Sequence, residues 1–79
     1  MSVYDDIRAE RTRQDAKWGG PSHDDDHDRW DWIGFVRKHA TRAFAAVKRG
    51  ELDDYRQHMV RVAALVVAAI ESHDRRARP

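Results

Sequence analysis

The sequence predicts a small all-α fold: a bundle of about three helices, the second and third forming an antiparallel hairpin, with the core completed by homodimerisation. Three observations predict it. Apolar residues recur at helical spacing in three stretches of the 79-residue chain. Gly19-Gly20-Pro21 and Gly50 punctuate those stretches. The segment 59–70, MVRVAALVVAAI, carries one charge in twelve residues, too apolar for a helix with a single covered face and too short to span a bilayer.

The first helix is predicted over about 3–16. Ser2 with Asp5 three residues on is a start signal that puts a short acid where Glu or Gln is usual. Val3, Ile7, Glu10 or Arg11, and Gln14 follow as a sparse stripe, so this helix reads as mostly solvated. Residues 19–28, GGPSHDDDHD, read as a loop. Asp28 is the expected N-cap of the second helix, about 29–49, whose core face joins Trp32, Phe35, Val36, His39, Ala43, Ala46 and Val47. Gly50 ends it. The last helix is expected over about 52–76, with Asp53 and Asp54 in its first turn and Arg75, Arg76 and Arg78 near its end, where the helix dipole favours each sign. It is expected to be central and covered on several sides, partly by another copy of the chain. The whole, 1–79, reads as one domain.

Cysteine is absent, so neither disulfides nor thiolate metal sites contribute, and a cytoplasmic location is expected. The N-terminus lacks the basic-then-apolar order of a signal peptide, and no membrane association is expected. The net charge of +1 conceals an asymmetry: residues 1–31 hold nine acids and five bases, residues 32–79 five acids and ten bases. Such a split fits halves that pack on each other or a basic face meant for a partner.

Three groups of residues bear chemistry. His23, Asp24, Asp26 and His27 in the HDDDHD loop are legitimate metal ligands, but spacing in a loop fixes no common face. The segment reads first as a solvated turn whose acids favour the next helix, and no metal is expected. Arg13 and Trp18 lie in a dense polar stretch suited to a phosphate or a base. The simpler reading is an exposed helix with pairs such as Glu10 with Gln14, and Trp18 folded back as an anchor. His39 and His58 fall inside the core stripes of the two hairpin helices, at comparable heights, with Lys38 nearby and Arg42 and Arg61 at the stripe edges. They form either a basic, half-buried cluster for an anion or a carboxylate, or a pair of core histidines bonded to each other, to Tyr55 or to water. Trp30, Trp32, Phe35, Phe44 and Tyr55 read as core or interface, Phe44 lying off the main stripe as a candidate second contact surface. No phosphate loop, Ser-His-Asp set or cysteine nucleophile is present, and no catalytic residue is assigned.

The segments ERTRQDAKWGG (10–20), HDD (23–25) and VAALVVAAIESHDR (62–75) resemble those of small MazG-like proteins of phages and prophages. The resemblance covers both ends of the chain and little of its middle. It implies an all-α fold of the nucleoside triphosphate pyrophosphohydrolase type. Members of that family hydrolyse the α–β phosphate bond with magnesium, held by Glu-Glu-x-x-Glu on one helix and Glu-x-x-Asp on the next. An ungapped placement puts those five acids at Lys38, His39, Arg42, His58 and Arg61. None is acidic, so the resemblance implies the fold without the family's metal chemistry, and no cofactor is expected.

Three functions follow as expectations. The first is a non-enzymatic phage or mobile-element protein that binds a protein partner, a class that includes inhibitors of host defence such as CRISPR interference. The second is a divergent nucleotide-binding protein or pyrophosphohydrolase, with acids of 24–28 replacing the lost magnesium site. The third is a nucleic-acid binder using the basic second half, ranked last because its bases cluster only at Arg37–Lys38, Lys48–Arg49 and Arg75–Arg78.

Overall fold

A computed structural model describes residues 2–77 of the chain. Among the described residues there are four helices and no strand: α1 (Val3–Trp18), α2 (Pro21–Asp24), α3 (Arg29–Lys48) and α4 (Leu52–Ala77). The expected position of Arg78 lies outside the described residues.

The helix ends follow local chemistry. Ser2 and Asp5 form a reciprocal capping box at α1, Asp5 N–H donating to Ser2 Oγ at 3.2 Å and Ser2 N–H to Asp5 Oδ2 at 3.1 Å. Asp28 and Asp31 repeat the device at α3. Gly19, at φ 103°, closes α1 by donating to the Asp15 carbonyl. Gly50, at φ 72°, lets the chain reverse so that Glu51 N–H reaches the Ala46 carbonyl at 2.9 Å.

The α3/α4 hairpin is the body of the fold. Ala43, Ala46 and Ala64 are buried, where small side chains allow close helix approach. Trp32, Leu65 and Ala68 form the apolar core, with Phe35, Val36 and Ala69 packed against it. Helix α1 lies along α4 in the same direction, its partners ascending together: Asp6 pairs with Arg56 at 2.6 Å and Arg11 with Glu71 at 2.5 Å.

Several expectations need correction. The 19–28 segment is not wholly loop, because Pro21 at the first helical position starts the short turn α2. Helix α1 docks through polar groups that are not solvated: Glu10 and Gln14 are buried while Val3 is exposed. Within one chain α4 is contacted by α1, α2 and α3, yet Met59, Val66, Val67 and Ile70 remain partly exposed. Val47 and Trp30 also lie in solvent, Trp30 at 83% exposure.

Candidate functional site

Where α1, α2, α3 and α4 meet, they leave a cleft of about 320 Å³, within the size range of small-ligand sites. Trp18, Trp32 and Phe35 give it an aromatic wall, with Leu65 and Ala68 as floor. Its polar ends differ. His23, Asp24, His27 and Asp15 stand at one end, Lys38 and His39 at the other, and Gln14 borders the cleft from α1.

Glu10 is buried in α1 and bonded to the cleft-lining Gln14. Its carboxylate accepts two bonds from Arg13, at 2.9 and 2.7 Å, and one from Gln14 Nε2 at 3.1 Å. The Arg13 bond holds the Glu10 carboxyl below the ordinary carboxylate range against the cost of its burial, with a smaller contribution from Arg61. The Glu10–Gln14 pair thus forms as the helical spacing suggests, but buried. Arg13 is paired with Glu10 through both bonds of its guanidinium edge. Trp18 stands at the cleft rim with Lys17 Nζ 5.0 Å from its ring centre.

Lys38, Arg42 and Arg61 lie close enough to His39 to act on its charge, and Arg42 and Arg61 act likewise on His58. The His39 and His58 rings lie 5.9 Å apart, tilted by 34°. Their Nδ1 atoms, Arg61 Nε and Trp32 Nε1 are all buried without a hydrogen-bond partner in the protein. No hydrogen bond links the two rings, so of the partners the simpler reading offers the mutual bond does not form. Burial pushes the His39 imidazole pKa down, and Arg42, His58, Arg61 and Lys38 add to the shift. His58 is lowered in the same way, by burial first and then by Arg61 and Arg42. Four buried nitrogens without a partner in the protein, the two imidazole Nδ1 atoms among them donating in the Nδ1–H tautomer or when protonated, suit an oxygen-rich anion in this field of arginines. Phe44 stands apart from this cluster, 67% exposed, with Lys48 Nζ 5.6 Å from its ring centre.

The acidic end is built by α2. The turn Pro21–Asp24 brings His23 and His27 together, Nε2 to Nε2 at 3.1 Å with their rings nearly perpendicular; the expectation that this spacing fixes no common face is overturned. His27 also packs edge-on against Trp32 and Phe35. Asp24 is half-buried, and burial together with the Asp15 carboxylate pushes its pKa up. Asp26 is exposed and does not line the cleft.

Asp25 locks this end to α4. Its carboxylate accepts Ser72 Oγ at 2.9 Å and the Arg75 guanidinium at 2.7 Å, while Arg76 donates to the Asp25 and His27 carbonyls. Arg75, and then Ser72, hold the Asp25 carboxyl below its ordinary value. Nothing in the sequence singles out Asp25 among its acidic neighbours. Glu10 did leave a signal, because it sits on the only apolar stripe of its helix.

Fold and site together define a small all-α bundle with an aromatic cleft, acidic and imidazole-bearing at one end and basic at the other. Comparison of the chain with protein-family profiles, with curated proteins and with solved structures finds no match.

Proposed function

We propose that this chain is a binding protein, not a hydrolase, and that its cleft takes a small organic phosphate of nucleotide type. The observation that carries the reading is the pair of cleft-lining residues Trp32 and His39, whose buried nitrogens have no partner in the protein, with the equally unpartnered His58 and Arg61 nitrogens next to His39 outside the lining. A base stacks on the aromatic wall of the cleft, and phosphate oxygens meet the imidazole and guanidinium groups. The MazG-like resemblance supports the same ligand class. The residues at the positions where the resemblance places acids oppose that chemistry, since Lys38, Arg42 and Arg61 repel magnesium and His39 and His58 offer it no oxygen ligand. The test is calorimetric titration with nucleoside mono- and triphosphates, paired with an assay for pyrophosphate release. Binding without added magnesium, weakened at least tenfold by Arg61→Gln, supports the reading (roughly the 1.4 kcal/mol of one lost charged bond). Magnesium-dependent pyrophosphate release restores the hydrolase, and absence of any nucleotide binding ends the proposal.

Protein binding is the second reading, and a separate observation favours it. Ile33, Val36, Val66 and Ile70 line an apolar groove between α3 and α4, flanked by Arg29 and His73. The chain's accessible surface is 5814 Å², against about 4,900 Å² expected for a folded monomer of this mass. The excess, roughly 900 Å², is close to the ~800 Å² that one partner contributes to a standard interface. A second copy of the chain meets that need, making the protein a homodimer through the exposed side of α4, and a host or viral protein is the alternative occupant. Light scattering distinguishes them: a dimer converted to monomer by Ile70→Asp supports self-association, and a monomer at all concentrations excludes it. No helix among the described residues is long and apolar enough to cross a membrane.

A further inference from the structure

The acidic end of the cleft does something the anion reading leaves unused. His23 and His27 present Nε2 to Nε2 at 3.1 Å. Two imidazole nitrogens bound to one tetrahedral ion, each bond about 2.0–2.1 Å long, lie about 3.3 Å apart. The pair is therefore within a few tenths of an ångström of the bite that zinc requires.

The surroundings favour the tautomer such an ion needs. His27 Nδ1 lies 3.5 Å from the Asp31 carboxylate, which draws the ring proton to Nδ1 and leaves the Nε2 lone pair facing His23. A carboxylate behind a ligating imidazole is the recurrent outer shell of protein zinc sites. Asp31 is itself fixed, because its carboxylate accepts the Asp28 N–H at 3.1 Å in the α3 capping box. Asp24 and Asp15 line the same cleft beside the two rings, and Asp24 is half-buried. Two carboxylates turned into one partly dry space repel each other, and a cation between them and the imidazoles relieves the repulsion.

We propose that His23 and His27 form a binding site for a divalent transition-metal ion of the zinc class, with Asp24 as third ligand and water as fourth. Among the described residues no three such groups already surround one point. The two imidazoles are preset, and rotation of the Asp24 carboxylate closes the site. The paired nitrogen ligands select zinc, cobalt or nickel over magnesium, which takes hard oxygen donors and keeps its waters. Each neutral imidazole carries one proton; as the ion takes the space between the two Nε2 atoms, the ring that donates from Nε2 moves that proton to its own Nδ1, so both rings keep one proton and none is released.

The test uses the full chain, stripped with chelator and titrated with zinc by calorimetry and with cobalt by visible absorption. No organic ligand is added, so the outcome is independent of the nucleotide reading. One ion per chain with a tetrahedral cobalt spectrum is expected, with magnesium inert. His23→Gln and His27→Gln each weaken binding more than about 100-fold, and Asp31→Asn, which removes the outer-shell charge while an amide oxygen can still accept the capping-box bond, weakens it about 10–100-fold. Circular dichroism checks that each variant keeps its helices, and Asp24→Asn gives a further variant that leaves both rings in place. Absence of saturable binding overturns the site. So does binding that survives both histidine substitutions, or a stoichiometry of one ion per two chains.

Discussion

Two imidazole pairs flank one cleft, His23 with His27 in its lining and His39 in the lining with His58 beside it, and their surroundings make them chemical opposites. His23 and His27 face each other nitrogen to nitrogen among Asp15, Asp24 and Asp31. His39 and His58 lie 5.9 Å apart, ring centre to ring centre, among Lys38, Arg42 and Arg61, with their Nδ1 atoms unpartnered. The same side chain offers lone pairs to a cation in the first case and N–H donors to an anion in the second. Neighbours, not the histidine, decide which.

The largest expected effect comes from Trp32, which lines the cleft together with His23, His27 and His39. Trp32 stacks edge-on with His27, lines the cleft and belongs to the core. Trp32→Ala removes that wall and should cost about 3–5 kcal/mol in urea unfolding, a large part of the stability of so small a domain. Trp32→Phe keeps most of the buried area while removing the acceptor-less indole N–H. If it weakens phosphate binding and leaves zinc binding unchanged, the two pairs are independent sites. If both change together, they form one site with two ends.

Acidity should separate the pairs next. Burial and positive neighbours lower the His39 and His58 pKa values in the fold, so the unfolded chain, at about 6.5, takes up these protons first. Their contribution to stability is complete above that value and is lost as pH falls through it toward the folded values. Phosphate affinity should move the other way. A bound anion favours the protonated rings, so affinity should rise up to about tenfold per pH unit for each proton taken up. Thermal melts and calorimetry between pH 8 and pH 5 measure the two trends, and His39→Gln combined with His58→Gln should flatten both. A phosphate affinity indifferent to pH would remove the basic pair from the binding site.

The sequence made the basic pair legible and the acidic pair only nominally so, for a physical reason. His39 and His58 sit on long helices whose stripes fix the facing side chains, so helical periodicity alone places them opposite each other. His23 and His27 depend on a four-residue turn, α2, which is too short to leave a periodic signal and is held by contacts from the far end of the chain. Glu10 and Gln14 show another limit. Polar letters read as solvated, yet here Arg13 satisfies the carboxylate and lets both residues go inside. The exposed side of α4 marks a third limit. Hydropathy reports that an apolar face wants cover, and does not say which molecule supplies it.

The smallest expected effect isolates the turn. Ser72 is buried, and its hydroxyl donates to Asp25 Oδ1 at 2.9 Å, one of the contacts that fasten α2 to α4. Ser72→Ala should cost about 1 kcal/mol in urea unfolding, the net worth of one such bond, because Arg75 still holds the same carboxylate. The turn carries His23 and His27 but not His39 or His58. A looser turn should therefore weaken zinc binding several-fold and leave phosphate binding as it was. An equal loss at both ends would mean that the α4 terminus supports the whole cleft, and that the two pairs are not positioned separately.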